Sequence, residues 1–255
     1  VPYVILRGMV SFGHTLFVEA VPRSWFEDVV AMLGGLAAES RAVDSRIVLP
    51  DGQAVPDLRL VAGRHLRSGA VYEDGTVRVT VREWDRRRAV RAGLIAVSPN
   101  GVLELEGALK SVDRPRLIEV RGRSRVEGVT PLLSAFGGAA SLRLDEWWAT
   151  VDGGRAPRSA PARARLDHRW LRAELRVVPR PSGDFSRWEV QVTVTVRGRG
   201  LLRPLAAVLL LVAEGRLRRI VARSLDTLAD QWNEQVPALL AQDPAGLRSA
   251  ILAAP

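Results

Sequence analysis

The stretch from Trp188 to about Leu240 constrains the fold of this chain more than any other. Trp188, Val190, Val192, Val194 and Val196 alternate without interruption with Glu189, Gln191, Thr193 and Thr195. That period of two is the mark of a strand with one apolar and one polar face. The strand runs into Arg197-Gly198-Arg199-Gly200, then Leu201-Leu202-Arg203-Pro204, and then into a long helical pattern. Its first third, Leu205 to Ala213, is apolar nearly all round; beyond it Leu217, Val221, Leu225, Leu228, Trp232, Val236 and Leu239 make one continuous helical stripe. A half-buried strand that hands over directly to such a helix predicts a helix lying against a sheet.

The rest of the chain reads as strand, helix and then an antiparallel meander. Val4 to Ile5 and Thr15 to Val21 are short strand candidates, and after Pro22 a helix is expected, with Ser24 able to cap it. Phe26, Val29, Val30 and Leu33 mark its apolar face, and Gly34-Gly35 is expected to end it. From about Arg46 the helical period disappears. Ile47 to Leu49, Leu58 to Ala62, Val77 to Arg82, Leu117 to Val120 and Leu142 to Trp148 are strand candidates, with a small helical or loop piece around Thr130 to Phe136. Ser98-Pro99-Asn100-Gly101 joins Val90–Val97 to Val102–Leu109 as a hairpin. The proline-, alanine- and arginine-rich segment 152–167 reads as an exposed loop, and Leu171, Ala173, Leu175 and Val177 form the strand that pairs with Trp188–Val196.

With 255 residues, 47% of them apolar, the chain can bury a core without staples, and it is expected to be one elaborated domain over 1–255 with a short tail at 241–255. There is no cysteine, which excludes disulfides, thiolate metal sites and cysteine nucleophiles. The net charge of +9 comes from arginines, with Lys110 the single lysine, so it reads as coding bias and as solvated strand faces more than as a nucleic-acid surface. The basic run Arg86-Arg87-Arg88 beside Trp84 reads as an exposed loop. No run reaches the roughly 20 apolar residues of a transmembrane helix. Arg7, Gly8, Gly13 and His14 interrupt the start where a signal peptide needs an apolar core, so a cytoplasmic location is expected.

The order of these elements is that of the helix-grip fold, and the chain resembles the SRPBCC superfamily, which includes START-type lipid-transfer domains and the polyketide cyclase/dehydrase group. Val18-Glu19-Ala20-Val21-Pro22 with Trp25-Phe26 and Val29-Val30 is similar to that superfamily's first strand and helix. Gly198-Arg199-Gly200 with Leu202, Pro204 and Leu205, followed by the long helix, is similar to its last strand and C-terminal helix. The resemblance implies an α+β fold in which a curved antiparallel sheet wraps the C-terminal helix, here with an enlarged middle region.

It also implies binding or carriage of an apolar small molecule, lipid or polyketide-like, between sheet and helix. Candidate lining residues are Leu171, Leu175, Trp188, Val190, Val192, Val194, Leu205, Leu209 and Val212. Two other readings stand beside it: a polyketide cyclase, aromatase or dehydratase, and an interaction module with a filled core. No catalytic set identifies itself, since His14, His65 and His168 lack a metal-ligand spacing and no nucleophile elbow, phosphate loop or dinucleotide fingerprint occurs. No cofactor, metal or nucleic-acid partner is expected.

Overall fold

The structure is a computed structural model that describes residues 9–126, 135–153, 157–180, 186–199 and 203–253, with side chains at 126, 203–211 and 253 outside that description. The first elements are β1 (Met9–Glu19), α1 (Arg23–Glu39), β2 (Arg41–Val43), β3 (Arg46–Val48), β4 (Ala54–Ala62), β5 (Val71–Asp74), β6 (Val77–Asp85) and β7 (Ala89–Ser98). They are followed by β8 (Gly101–Lys110), β9 (Leu117–Val126), β10 (Ala135–Arg143), α2 (Leu144–Val151), β11 (Ala162–Asp167), β12 (Leu171–Arg180) and β13 (Arg187–Gly198). Two helices close the chain, α3 (Arg203–Leu240) and α4 (Pro244–Ala253). These elements form two compact units, the first from Val1–Ala20 with Val129–Pro237 and the second from Val21–Gly128 with Ala238–Pro255.

In the first unit five antiparallel strands lie in the order β1-β13-β12-β11-β10. The register of β1 on β13 is unbroken from Met9↔Arg197 to Glu19↔Arg187, so Val10, Phe12, His14, Leu16 and Val18 share a face with the valines of β13. Val192 is only 2% exposed, and Val10, Phe12, Val190, Val194 and Val196 are buried with it. Leu217, Val221 and Leu225 of α3 pack onto this face, as do Trp147 of α2 and Trp188 of β13. Full burial of such side chains is worth about 1.5–3 kcal/mol each, so the sealed valines of β13 contribute strongly to the stability of the unit.

Polar contacts fix where α3 lies. His14 Nε2 is 2.6 Å from Asp226 Oδ1. Asn233 accepts from the Glu19 amide at 2.7 Å and donates to the Phe17 carbonyl at 3.0 Å, and Trp232 Nε1 donates to the Glu19 carbonyl at 2.9 Å. β1 is an edge strand, and at its end the Asn233 carboxamide stands in for a neighbouring strand. Asp226 meets residue 14 and Asn233 meets residues 17 and 19, so α3 runs in the direction of β1.

In the second unit the strands β9-β8-β7-β6-β5-β4-β3-β2 form a consecutive antiparallel meander. The β7–β8 hairpin closes at Ser98↔Gly101, where Gly101 takes φ +140°, a backbone conformation that favours glycine. Ile47, Ala70, Tyr72 and Val81 form a buried cluster. Helix α1 packs on α4, tied by Trp25 Nε1 donating to the Gln242 carbonyl at 3.0 Å and by an Arg248–Glu39 ion pair.

Several expectations are corrected. Leu142–Trp148 is not a strand: β10 ends at Arg143, whose guanidinium donates to the Ser159 and Ala160 carbonyls, and α2 follows with Asp145 and Glu146 at its positive end. Gly34-Gly35 does not stop α1, which runs to Glu39 without a side-chain cap at its start. A Cβ at Gly34 would lie 3.0 Å from Val112 Cγ1 and 3.4 Å from Arg86 Nε, so close approach explains that glycine. Residues 162–167 are strand β11, not loop, because β10 and β12 pair with both edges. The first strand is one element, Met9–Glu19, and 241–255 contains α4.

The buried stripe of α3 also turns away from the expected one: Ala229 and Val236 are buried while Leu228, Trp232 and Leu239 are exposed. The expected strand at Val4–Ile5 and most of the piece expected at Thr130–Phe136 fall outside the described residues.

Asn233→Ala removes two hydrogen bonds at the β1 edge and is expected to destabilise the protein by about 1–2 kcal/mol, read as a lower denaturant midpoint at unchanged slope.

Candidate functional site

The nine sequence-selected lining residues divide into four groups. Val190, Val192 and Val194 are buried in the first unit's core, and α3 meets them directly through Leu217, Val221 and Leu225. Leu175 and Trp188 are half-buried against that core. Leu171 lies 37% and Val212 84% exposed. The side chains of Leu205 and Leu209 lie outside the described residues.

Beyond the valines the same face continues across β12, β11 and β10. Register places Val196, Ala173, Leu166 and Gly138 in one row and Val194, Leu175, Ala164 and Ala140 in the next. These residues are apolar and mostly small, yet they are not sealed: Leu166 is 48% exposed, and Ala140 is exposed too.

The anchors of α3 orient its rows. Leu217, Val221 and Leu225 face the sheet, and Asp226 lies on the flank toward β1, where it holds His14. Beside the Leu217–Val221–Leu225 row runs the i, i+4 row Val212, Arg216, Ile220, Ser224 and Leu228, whose next member, Trp232, reaches the Glu19 carbonyl of β1. Ile220 and Leu228 are 52% and 60% exposed. At the Trp188 end, the indole of Trp188 lies 5.5 Å from that of Trp147 and 5.4 Å from that of Trp148. Both α2 tryptophans thus gather on one neighbour.

Other clusters of chemistry-bearing side chains are accounted for locally. Asp167 is held by Arg172 at 2.7 Å, Arg165 at 2.7 Å and Arg199 at 3.0 Å. Burial opposes its charge, but the Arg172 hydrogen bond and the charges of Arg165, Arg172 and Arg199 outweigh it and hold the carboxyl below its usual range. His168, next in sequence, is buried, its ring 5.1 Å from that of Phe136 and its Nδ1 3.4 Å from the Trp170 amide. In the second unit a cleft of about 500 Å³ is lined by Trp84, Asp85, Arg86, Arg87 and Asp113. Asp113 accepts from Arg86 at 2.7 Å and Asp85 caps the turn through the amides of Arg87 and Arg88, whereas the Arg87 guanidinium has no ion-pair partner among the described residues. Among the described residues no group of three His, Cys, Asp or Glu side chains could hold a metal ion.

No spacing or motif announces a hydrogen-bonded chain built on His65. Ser40 donates to the Ala37 carbonyl and stands 3.0 Å from His65 Nε2, while Tyr72 OH is 2.9 Å from His65 Nδ1 and accepts from the Leu66 amide. With the Ser40 proton on Ala37, Nε2–H donates to Ser40 and Nδ1 accepts from Tyr72. Ser40 is thus an acceptor of His65 and not a nucleophile activated by it. This arrangement fits a neutral imidazole, and desolvation lowers the His65 pKa although a hydrogen bond to the Ser40 backbone raises it.

The second unit presents another apolar face, on which Val81, Ala92, Gly107 and Val120 share a row beside Leu94, Leu105 and Gly122. A Cβ at Gly107 would meet nothing within 4 Å, whereas one at Gly122 would meet Leu105 Cδ2 at 2.5 Å. The opposite face carries Glu104↔Arg123 and Glu106↔Arg121. Glycines at inward positions of an alternating strand were the available signal for this open floor.

The sequence matches no protein-family model and none of the curated proteins. No helix among the described residues is long and apolar enough to cross a membrane.

Stability is expected to fall with pH through the window below 6.5, the ordinary histidine value, because there the unfolded chain takes up a proton that folded His65 resists. The loss ends once the folded imidazole also protonates, and His65→Gln flattens that part of a denaturation-versus-pH series.

Proposed function

We propose that this chain is a helix-grip protein that binds an apolar small molecule in a groove between α3 and the open part of the sheet in the first unit. The fold reading is supported by the pairing of the first strand with the last, by the strand order that follows, and by the long helix seated on their shared face. The binding reading rests on one observation: apolar side chains are left exposed both on the sheet and on α3 of the same unit. Leu166 and Leu171 lie on the sheet, and Ile220 and Leu228 lie on the α3 row next to the one that packs on it. Uncovered apolar side chains on two packed elements, where they meet, make a binding surface.

The site differs from the one first expected, since the valine face is the packed floor under α3 and the open part lies beside it. Leu175 joins the two, with Val194 on one side and Ala164 on the other. The floor of small side chains leaves room for a ligand, and the Trp147–Trp188 pair stands at one end. Carriage needs no catalytic group, and the interactions of Asp167 and His65 serve structure.

An alkyl-chain fluorophore is expected to bind saturably at micromolar concentration. Ala164→Trp, which fills the floor, is expected to abolish binding, while Gly107→Trp in the second unit leaves it unchanged. Absence of saturable binding, or wild-type affinity in folded Ala164→Trp, sinks the reading.

A further inference from the structure

We infer that the ligand of this groove is an amphipath with an anionic head, of the long-chain carboxylate kind, and that Arg216 is the residue that selects it; this rests on the groove reading above. Three observations converge on that position. First, Arg216 belongs to the same i, i+4 row of α3 as Ile220 and Leu228, the row that forms the helical wall in the groove reading. Second, Arg216 is exposed, and among the described residues its guanidinium has no carboxylate partner, in contrast to the arginines that hold Asp167. Its neighbour Arg219 turns back to the Gly215 carbonyl at 3.2 Å.

Third, Arg216 sits at one end of the apolar track and the indoles at the other. Asp226 lies level with His14 and so with Val192. Ten residues back along α3, at about 1.5 Å each, is about 15 Å. On strands that rise about 3.3 Å per residue this reaches the level of Val196, Ala173 and Leu166. Leu228 lies near the level of Val177 and Ala162, toward Trp188.

A ligand lying along this track has its tail against Leu228 and the indoles, and its head beside a free guanidinium at the solvent edge. The inward positions of β10 to β12 along the track are Gly138, Ala140, Ala164, Leu166, Ala173 and Leu175, which offer no side-chain polar group. Polar selection therefore falls to α3. A guanidinium pairs with a carboxylate through two parallel hydrogen bonds, which an ester or alcohol does not reproduce.

The test is displacement of an alkyl fluorophore by a long-chain fatty acid, its methyl ester and the matching alcohol, on wild type, Arg216→Gln and Arg123→Gln. The acid is expected to bind about tenfold more tightly than the ester. Arg216→Gln lowers acid affinity about tenfold and leaves the ester within about twofold, and Arg123→Gln changes neither. Arg216→Lys, which keeps the charge and loses the fork, restores part of the preference. Equal binding of acid, ester and alcohol, or an equal loss of acid and ester in Arg216→Gln, overturns the inference while the groove stands. Failure of the fluorophore itself to bind overturns both.

Discussion

The structure of the first unit depends on the contact between the valine face of β13 and the Leu217–Val221–Leu225 row of α3. The strand supplies β-branched side chains that pack well on a pleated surface, and the helix supplies a row with the spacing to lie along it. β1 extends the same face by an unbroken register, and its exposed end is finished by Asn233 and Trp232. Because that contact is direct, α3 cannot itself be lifted to admit a ligand without opening the core. Any open volume has to lie beside the helix.

That constraint turns a question about one cavity into one about two halves of a single face. Under α3 the inward side chains are valines and are sealed. Toward β11 and β10 they shrink to alanine and glycine, and Leu166 is left partly exposed. The helix mirrors this division, with the Leu217–Val221–Leu225 row partly buried and the next, Ile220 and Leu228, uncovered. Stability and binding thus draw on adjacent rows of the same two elements.

The parts of the fold governed by short-range pattern were legible in the sequence: the Trp188–Val196 strand, the Asn100-Gly101 hairpin and the length of α3 all follow from alternation, turn chemistry and helical period. What could not be read depends on tertiary contact. Trp147 and Trp148 are on a helix because Arg143 closes the corner against residues 159 and 160, which no local pattern announces. Gly34 sits inside α1 because Val112 and Arg86 approach it. In α3 the stripe was read with Leu228 and Trp232 inward, since hydrophobicity alone favours them over Ala229 and Asn233. The backbone of β1 reversed that choice by demanding the carboxamide of Asn233. The candidate valines were correctly assigned to one face, but the sequence could not say that this face is covered and its neighbour is not.

The most direct test of the groove is methyl-resolved NMR of the protein titrated with a long-chain fatty acid. The account predicts saturable shifts at the methyls of Leu166, Leu171, Ile220 and Leu228, with those of Val192 and of Leu94 and Leu105 unmoved. Saturable shifts centred on the valine core or on the β7–β8 face, or no saturable shift at all, would contradict it.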